Sequence, residues 1–186
     1  MQVFRISDAP REGETPIKPV WGLGKVRGNC SAQASAMAAV LRTDVYPAVV
    51  LEHDAERLRE GWPDFAQCAN AGMDWLWLGG STIWCDERGE EVRDRPMPWM
   101  PSPVAGVAKV DGLYTTHAVA ILTPDGAMRA LCAALQGIRK GWPVDVAIIM
   151  ECRHMGWERW CVTEPWFCQR GVNRRWTDKP LPPPLP

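Results

Sequence analysis

The side chains of this 186-residue sequence best suited to nucleophilic chemistry are its seven cysteines, which stand beside only three histidines. A thiolate is the attacking form of cysteine, and a neutral imidazole is the usual base that generates it. Cys30 begins the segment CSAQASAMAAVLR, which is rich in helix formers and contains neither Gly nor Pro. A helix N-terminus stabilises a thiolate and offers a backbone N–H to an oxyanion. The pattern predicts Cys30 as the candidate nucleophile, with a buried structural cysteine as the alternative.

His117 is the candidate base, because it stands at the start of the most apolar and β-branched strand pattern, THAVAIL. A polar ring on such a strand needs a partner. His53 lies in the acidic stretch LEHDAE, and His154 lies among charged residues in ECRHMGWER. We therefore expect His117 to lie beside Cys30 if the chain is a thiol enzyme. A core histidine that is hydrogen-bonded to a neighbour is the alternative.

The segment GNCSAQASAMAAVLR, followed by a short loop and PAVV, resembles the nucleophile helix of papain-like and transglutaminase-like cysteine enzymes. Under this resemblance His117 is the catalytic base, and GWPVDV at residues 141–146 is similar to the strand that carries the residue orienting the imidazole. The resemblance therefore implies Asp145 as the third member, with Asp125 in TPDG as the other option. It also implies acyl transfer at an amide or thioester of a peptide, protein or small amide substrate, without a cofactor.

Strand and helix patterns alternate along the chain, which predicts one α+β domain over residues 1–177. We expect a mostly antiparallel sheet on which the helix of Cys30 packs, and an insert around residues 52–100. MQVFRIS, VYPAVVLEH, MDWLWLGG, THAVAIL and PVDVAIIMEC are the predicted strands, and TPDG is a predicted turn. AMRALCAALQGIRKG is a predicted helix, and WCDERGEEVRDRP a predicted hairpin. The tail at 178–186 is proline-rich and predicted to be extended.

A second cysteine supports a different fold hypothesis. PVDVAIIMECRHMGWER resembles the strand-to-loop junction of cysteine phosphatases and rhodanese-like domains, where Cys152 would lie in an anion-binding loop. With LGG and MRALCAALQGIRKG, the layout is also similar to the small DUF488 family, which implies an α/β fold with a central parallel sheet. A run of possible metal ligands consists of Cys152, His154, Cys161 and Cys168. It lacks the closely spaced cysteine pair of structural zinc sites, so we expect no metal there.

Composition and net charge limit the classes of partner that we expect this chain to bind. A net charge of −1 argues against a general nucleic-acid or membrane-surface binder. The absence of an 18-residue apolar run and of a signal-peptide core predicts a cytoplasmic protein without a membrane segment. The 11 Trp, several of them near Arg, are typical of core filling and of cation–π contacts. They also support a second function hypothesis, a non-catalytic Trp-rich module that binds a ligand or a protein, for example an inhibitor.

Overall fold

The computed structural model describes residues 1–9, 11–19, 22–79, 84–86, 88, 90–92, 97–113, 116–171 and 177–181. The strands in this part of the chain are β1 (Gln2–Ile6), β2 (Glu14–Ile17), β3 (Ala48–Glu52), β4 (Ala55–Arg57), β5 (Trp75–Trp77), β6 (Trp84–Cys85), β7 (Glu91–Val92), β8 (Trp99–Pro101), β9 (Val107–Val110), β10 (Ala118–Ile121), β11 (Trp160–Val162) and β12 (Phe167–Gln169). The helices are α1 (Lys25–Thr43), α2 (Phe65–Asn70), α3 (Pro124–Lys140) and α4 (Val144–Met155).

Eight strands form the main sheet, in the order β2-β1-β3-β10-β5-β11-β9-β8. Four of its seven pairings are antiparallel, so the fold is mixed α/β with a mostly antiparallel sheet. The predicted strands β1, β3, β5 and β10 are confirmed, and β3 and β10 are adjacent. The central parallel sheet of the alternative hypothesis is absent from the part of the chain described. The predicted hairpin is confirmed by the antiparallel pairing of β6 with β7, and β4 pairs with β12 in a further two-stranded sheet.

Helices α1, α3 and α4 contact one another, and α1 also contacts β1 and β2 while α3 contacts β10. The buried side of α1 contains many alanines, including Ala32, Ala36 and Ala39. Small side chains let neighbouring helices approach closely, and Gly137 of α3 lies against α1 and α4 at such an approach. The alanine-rich pattern that predicts the helix thus also explains how tightly it packs.

Helix α1 begins earlier than predicted. Its first residue is Lys25, and Gly24 is the N-cap, so Cys30 lies in the second turn instead of the first. Gly28 is a buried residue within the helix, two residues before Cys30. A single glycine in a helix costs only about 1 kcal/mol, which packing can offset.

The prediction of a strand in PVDVAIIMEC is wrong, because this stretch forms most of helix α4. Its residues are apolar almost all round, so their periodicity does not separate a buried strand from a buried helix. The helix boundaries were visible in the sequence: Pro143 precedes the first turn, and Gly156 ends the helix in a left-handed conformation with φ of 67°. Asp145 therefore lies in the first turn of a helix and not on a strand.

The predicted turn TPDG is also wrong. Pro124 is the first residue of α3, and the Thr123 side chain caps the helix by accepting a hydrogen bond from the Gly126 N–H at 3.1 Å. Proline at the first helical position after a threonine cap is a common helix start.

The predicted domain boundaries stay predictions. Strand β5 falls within the range predicted as an insert, yet it lies in the middle of the main sheet between β10 and β11. Of the predicted proline-rich tail, residues 182–186 lie outside the described residues. Among the described residues, no helix has both the length and the apolar character needed to cross a bilayer.

Candidate functional site

Several polar side chains meet where β3 ends and β10 is about to begin. Glu52 is the last residue of β3, and its backbone N–H donates to the carbonyl of His117 at 2.8 Å. Thr116 precedes His117, and Gln33 reaches the same place from α1. Antiparallel pairing of β3 with β10 sets this arrangement, because Leu51 lies opposite Ala118.

Glu52 is the centre of this group. Its Oε1 accepts hydrogen bonds from Thr116 Oγ1 at 2.7 Å and from Gln33 Nε2 at 3.2 Å. Both donors are neutral, and among the described residues the carboxyl group has no ion pair with a cation. Burial raises the pKa of Glu52 to about 7, the two hydrogen bonds oppose the rise, and the nearby carboxylates of Asp54 and Asp145 add to it. A carboxyl group in such a setting exchanges a proton near neutral pH.

A narrow crevice adjoins this group between the sheet and the helices. Its polar lining is Gln33 and Thr116, the two residues that donate to Glu52. The Trp75 and Trp77 rings, with centroids 5.7 Å apart, provide most of the aromatic surface. The remaining lining residues are apolar and come from all three packed helices and from β10: Met37, Val119, Ala130 and Ile148. The site therefore combines a titratable group with an apolar wall.

The Cys30 side chain is fully buried between α1 and the other two helices. Its S–H donates to the backbone carbonyl of Trp142 at 3.3 Å, and the sulfur lies against Gly137, where an added Cβ would come within 2.7 Å. Burial, with a smaller contribution from the Asp145 carboxylate, raises the pKa of this thiol to about 11. The expected stabilisation of a thiolate is therefore not found, because burial and a nearby negative charge both favour the neutral thiol.

The resemblance implies that Asp145 orients the His117 imidazole, whereas in the structure its carboxylate acts as a charge that raises the pKa of the Cys30 thiol. Its Oδ1 accepts a hydrogen bond from the N–H of Val146 at 3.0 Å. Burial raises the pKa of Asp145 to about 6, and the Glu91 carboxylate contributes. The other option for the third member, Asp125, is exposed in the first turn of α3.

His117 is fully buried and directly precedes the first residue of β10. Its Nε2–H donates to the carbonyl of Phe167 at 3.2 Å, and its ring covers Gly79 so closely that an added Cβ there would lie 1.9 Å from Nε2. Burial lowers the pKa of His117 to about 4, so the ring is neutral at physiological pH.

The structure brings Asp145 near Cys30 but shows no hydrogen bond between Cys30 and His117. Within the described part of the chain, the one hydrogen-bond partner of the Cys30 sulfur is the Trp142 carbonyl. The catalytic roles of Cys30, His117 and Asp145 stay predictions, and they require the sulfur to leave its present contact.

Thiol labelling tests the burial of Cys30. Of the six cysteines whose side chains are described, Cys132 is exposed and the other five, Cys30 among them, are buried. Because alkylation needs an accessible thiolate, we expect iodoacetamide to modify Cys132 at neutral pH well before Cys30 in the folded protein. Mass spectrometry of tryptic peptides measures the order. Preferential labelling of Cys30, suppressed by His117→Ala, would instead support the thiol mechanism.

A double-mutant cycle tests the packing of Cys30 against Gly137. Gly137→Ala should destabilise the fold by about 1–3 kcal/mol, because its Cβ would lie 2.7 Å from the Cys30 sulfur and 3.0 Å from the Ala147 Cβ. In a Cys30→Ala background the same change should cost less, since the sulfur is gone and alanine favours a helix. Urea unfolding of the four proteins gives the coupling energy. Additive effects would show that the two side chains do not press on each other.

The second cysteine hypothesis finds no support in the geometry. Cys152 lies inside α4 and is fully buried, not in an anion-binding loop. His154 is exposed near the end of the same helix, whereas Cys161 and Cys168 lie on β11 and β12. No group of three or more metal-binding side chains occurs among the residues described.

Most of the tryptophan side chains lie in the core or stack with a cationic side chain. Nine of the 11 have described side chains, and each of the nine is buried or half-buried. Four of them carry a cation over the ring at 4.2–5.1 Å, in the pairs Arg57–Trp62, Arg59–Trp166, Arg129–Trp157 and Lys140–Trp142. Core filling and cation–π contacts therefore account for these nine, and a protein partner for a Trp-rich surface stays a prediction.

The sequence analysis missed Glu52 and Gln33. LEHDAE indicates only a solvated acidic stretch, although its glutamate directly follows the apolar run VVL. A carboxylate at the end of a buried strand is a recognisable pattern for a site. The position of Gln33 gives no such indication, because one polar residue on a helix is ordinary.

Comparison with known proteins does not assign the chain. No family model matches it, and no curated protein matches it either.

Proposed function

We propose that this protein is a hydrolase of the acid–base type, in which Glu52 accepts and returns the proton. The observation that supports it is the half-buried Glu52 carboxyl group, which has two neutral hydrogen-bond donors, no cationic partner among the described residues, and an aromatic crevice beside it. General acid–base catalysis is most efficient when the pKa of the group is near the working pH. At a pKa of about 7, Glu52 is present in both protonation states at neutral pH.

The surroundings of Glu52 suit a carboxyl group that must both accept and release a proton. Thr116 and Gln33 hold one oxygen of the carboxyl group in place. Burial penalises the charged form, while these two donors stabilise it, so neither form dominates. The amide and thioester substrates expected from the sequence suit this role, because their hydrolysis removes a proton from water and delivers one to a leaving group.

A thiol-dependent acyl transfer at Cys30, His117 and Asp145 remains the second candidate. Its support is the resemblance of the Cys30 segment GNCSAQASAMAAVLR to the nucleophile helix of papain-like and transglutaminase-like enzymes. It requires a thiolate, whereas burial raises the pKa of Cys30 to about 11 and lowers that of His117 to about 4. These two shifts oppose proton transfer from the thiol to the imidazole, so we place the acid–base mechanism first.

A panel of chromogenic and fluorogenic amides, esters and thioesters tests the proposal. Wild type, Glu52→Gln and Cys30→Ala are assayed side by side. Under the proposal Glu52→Gln loses hydrolysis, and Cys30→Ala keeps it. Glu56→Gln is a matched control, because it changes a half-buried glutamate on β4, four residues along the chain.

The opposite pattern, in which Cys30→Ala is inactive and Glu52→Gln is active, would establish the thiol mechanism. Hydrolysis of no member of the panel by wild type would contradict a hydrolase function.

A further inference from the structure

The indole N–H of Trp77 is a buried donor without an acceptor among the described residues. Trp77 is only 2% exposed, and its side chain lines the crevice beside Glu52. A buried N–H group that lacks a hydrogen bond is costly, and native proteins satisfy nearly all such groups with protein atoms or with bound water. An acceptor other than the described residues is therefore needed to satisfy this N–H, and the crevice is where we look for it.

The crevice has the size of one water molecule. The cavity volume is about 10 Å³, close to the minimum for a single water. A substrate-sized molecule does not fit inside the crevice, so a substrate has to meet this water at the crevice opening. Water of this kind is retained when two to four polar groups surround it.

Two further polar groups line the same crevice. Thr116 Oγ1 gives its own hydrogen to Glu52, so it has lone pairs left to accept a hydrogen bond. Gln33 donates through Nε2, which leaves its carbonyl oxygen Oε1 as a second acceptor. A water in the crevice can thus accept from Trp77 and donate to Thr116 and Gln33.

We propose that the crevice binds one water molecule between Trp77 Nε1 and Thr116 Oγ1, and that this water is the nucleophile in the hydrolysis. This inference rests on the proposed function, since it names the attacking group at the same site. Trp77 is a positioning residue under this proposal, and Thr116 connects the water to the base. The ionised form of Glu52 is the one that accepts the proton.

The proton and electron pairs balance along this route. As the water oxygen forms a bond to the substrate carbonyl carbon, its proton passes to Thr116 Oγ1, and the threonine proton passes to Glu52 Oε1. The carbonyl π electrons move to the carbonyl oxygen. When they return, the bond to the leaving nitrogen or sulfur breaks, and the proton held on Glu52 goes to that leaving group by way of Thr116.

Trp77→Phe tests the water site, because it removes the N–H and keeps an aromatic ring. The matched control is Trp75→Phe, which changes the other tryptophan of the crevice. We expect a cross-relaxation signal between the Trp77 indole N–H and a long-lived water in the wild type. We also expect oxygen-17 relaxation dispersion to show one long-lived water fewer in Trp77→Phe than in Trp75→Phe.

Measurements of kcat and KM test the role of the water as the nucleophile. With the best substrate of the panel, Trp77→Phe and Thr116→Val should lower kcat by about tenfold or more and leave KM within about threefold. Thr116→Val keeps the side-chain shape, so it serves if Trp77→Phe does not fold. An unchanged kcat in both variants, or no water signal at the Trp77 N–H, would overturn the proposal.

The two proposals fail in different ways. If Glu52→Gln loses hydrolysis but no water contacts Trp77, the acid–base function stands and the assignment of the nucleophile is wrong. If Glu52→Gln keeps full activity, the proposed function is wrong even where the water signal is present.

Discussion

Glu52→Gln is expected to lower the rate of hydrolysis by about 10²–10⁴-fold, the usual contribution of a general acid–base group. Glutamine keeps the shape of the side chain and can still accept hydrogen bonds from Thr116 and Gln33 through its amide oxygen. It cannot take up the proton of the attacking water. The loss should therefore appear in kcat, with KM little changed, and a rate measurement across the substrate panel checks it.

The same substitution is expected to stabilise the folded protein above neutral pH. The pKa of Glu52 rises from 4.5 to about 7 on folding, so the folded chain binds more protons than the unfolded chain between these pH values. The free energy of unfolding therefore falls as the pH rises from about 4.5 to about 7. At about 1.4 kcal/mol per tenfold change in proton affinity, the loss amounts to about 2–3 kcal/mol.

Urea unfolding at pH 4.5 and at pH 8 measures this effect. The gain of Glu52→Gln over wild type should be larger by about 2–3 kcal/mol at pH 8 than at pH 4.5. The contribution of His117 has the opposite sign, because its pKa falls on folding to about 4, and its stabilisation is lost as the pH drops from about 6.5 through 4. His117 is present in both proteins, so its contribution cancels in the comparison. An equal difference at both pH values would show that Glu52 is not protonated by folding.

Gly126→Ala is expected to destabilise the fold by about 3 kcal/mol or more, a large value for an added methyl group. Gly126 lies in the first turn of α3, where alanine would ordinarily be favoured. An alanine Cβ at this position would come within 2.2 Å of the backbone carbonyl oxygen of Asp74. That carbonyl accepts a hydrogen bond from the N–H of Leu122, so it has little freedom to move. Thermal or urea unfolding gives the magnitude.

Gly141→Ala is the control for this prediction. Gly141 ends α3 with φ of +71°, and an alanine Cβ there meets no atom within 4 Å. Its cost should be about 1 kcal/mol and come from backbone conformation alone. If Gly126→Ala costs no more than Gly141→Ala, the close approach of the Asp74 carbonyl does not constrain the fold.

Local sequence patterns were sufficient for much of the sheet. The apolar and β-branched runs of β1, β3, β5 and β10 each indicate a strand from a few adjacent residues, because strand propensity acts over that distance. Helix α3 was recognised for the same reason. The pattern failed where a segment is apolar on all sides, as in α4, since a buried helix and a buried strand then have the same composition.

Gly126 shows what local patterns leave out. In the sequence, a glycine after Pro124-Asp125 indicates a turn, because glycine is common in turns. In the structure this glycine is helical, and its small size is required by the Asp74 carbonyl, 52 residues earlier in the chain. The requirement arises only once distant segments pack together.

The sequence by itself determined which chemically capable residues the chain contains, among them a thiol, an imidazole and several carboxylates. It also determined the strand that ends at Glu52 and the strand that directly follows His117. The tertiary structure alone decided their ionisation. Burial raises the pKa of Cys30 to about 11 and that of Glu52 to about 7, because a low-dielectric interior penalises each charged form. Burial depends on contacts between residues far apart in the chain. For this reason the Cys30 thiol, which the sequence favours as the nucleophile, is neutral. Glu52, which the sequence does not single out, titrates near neutral pH.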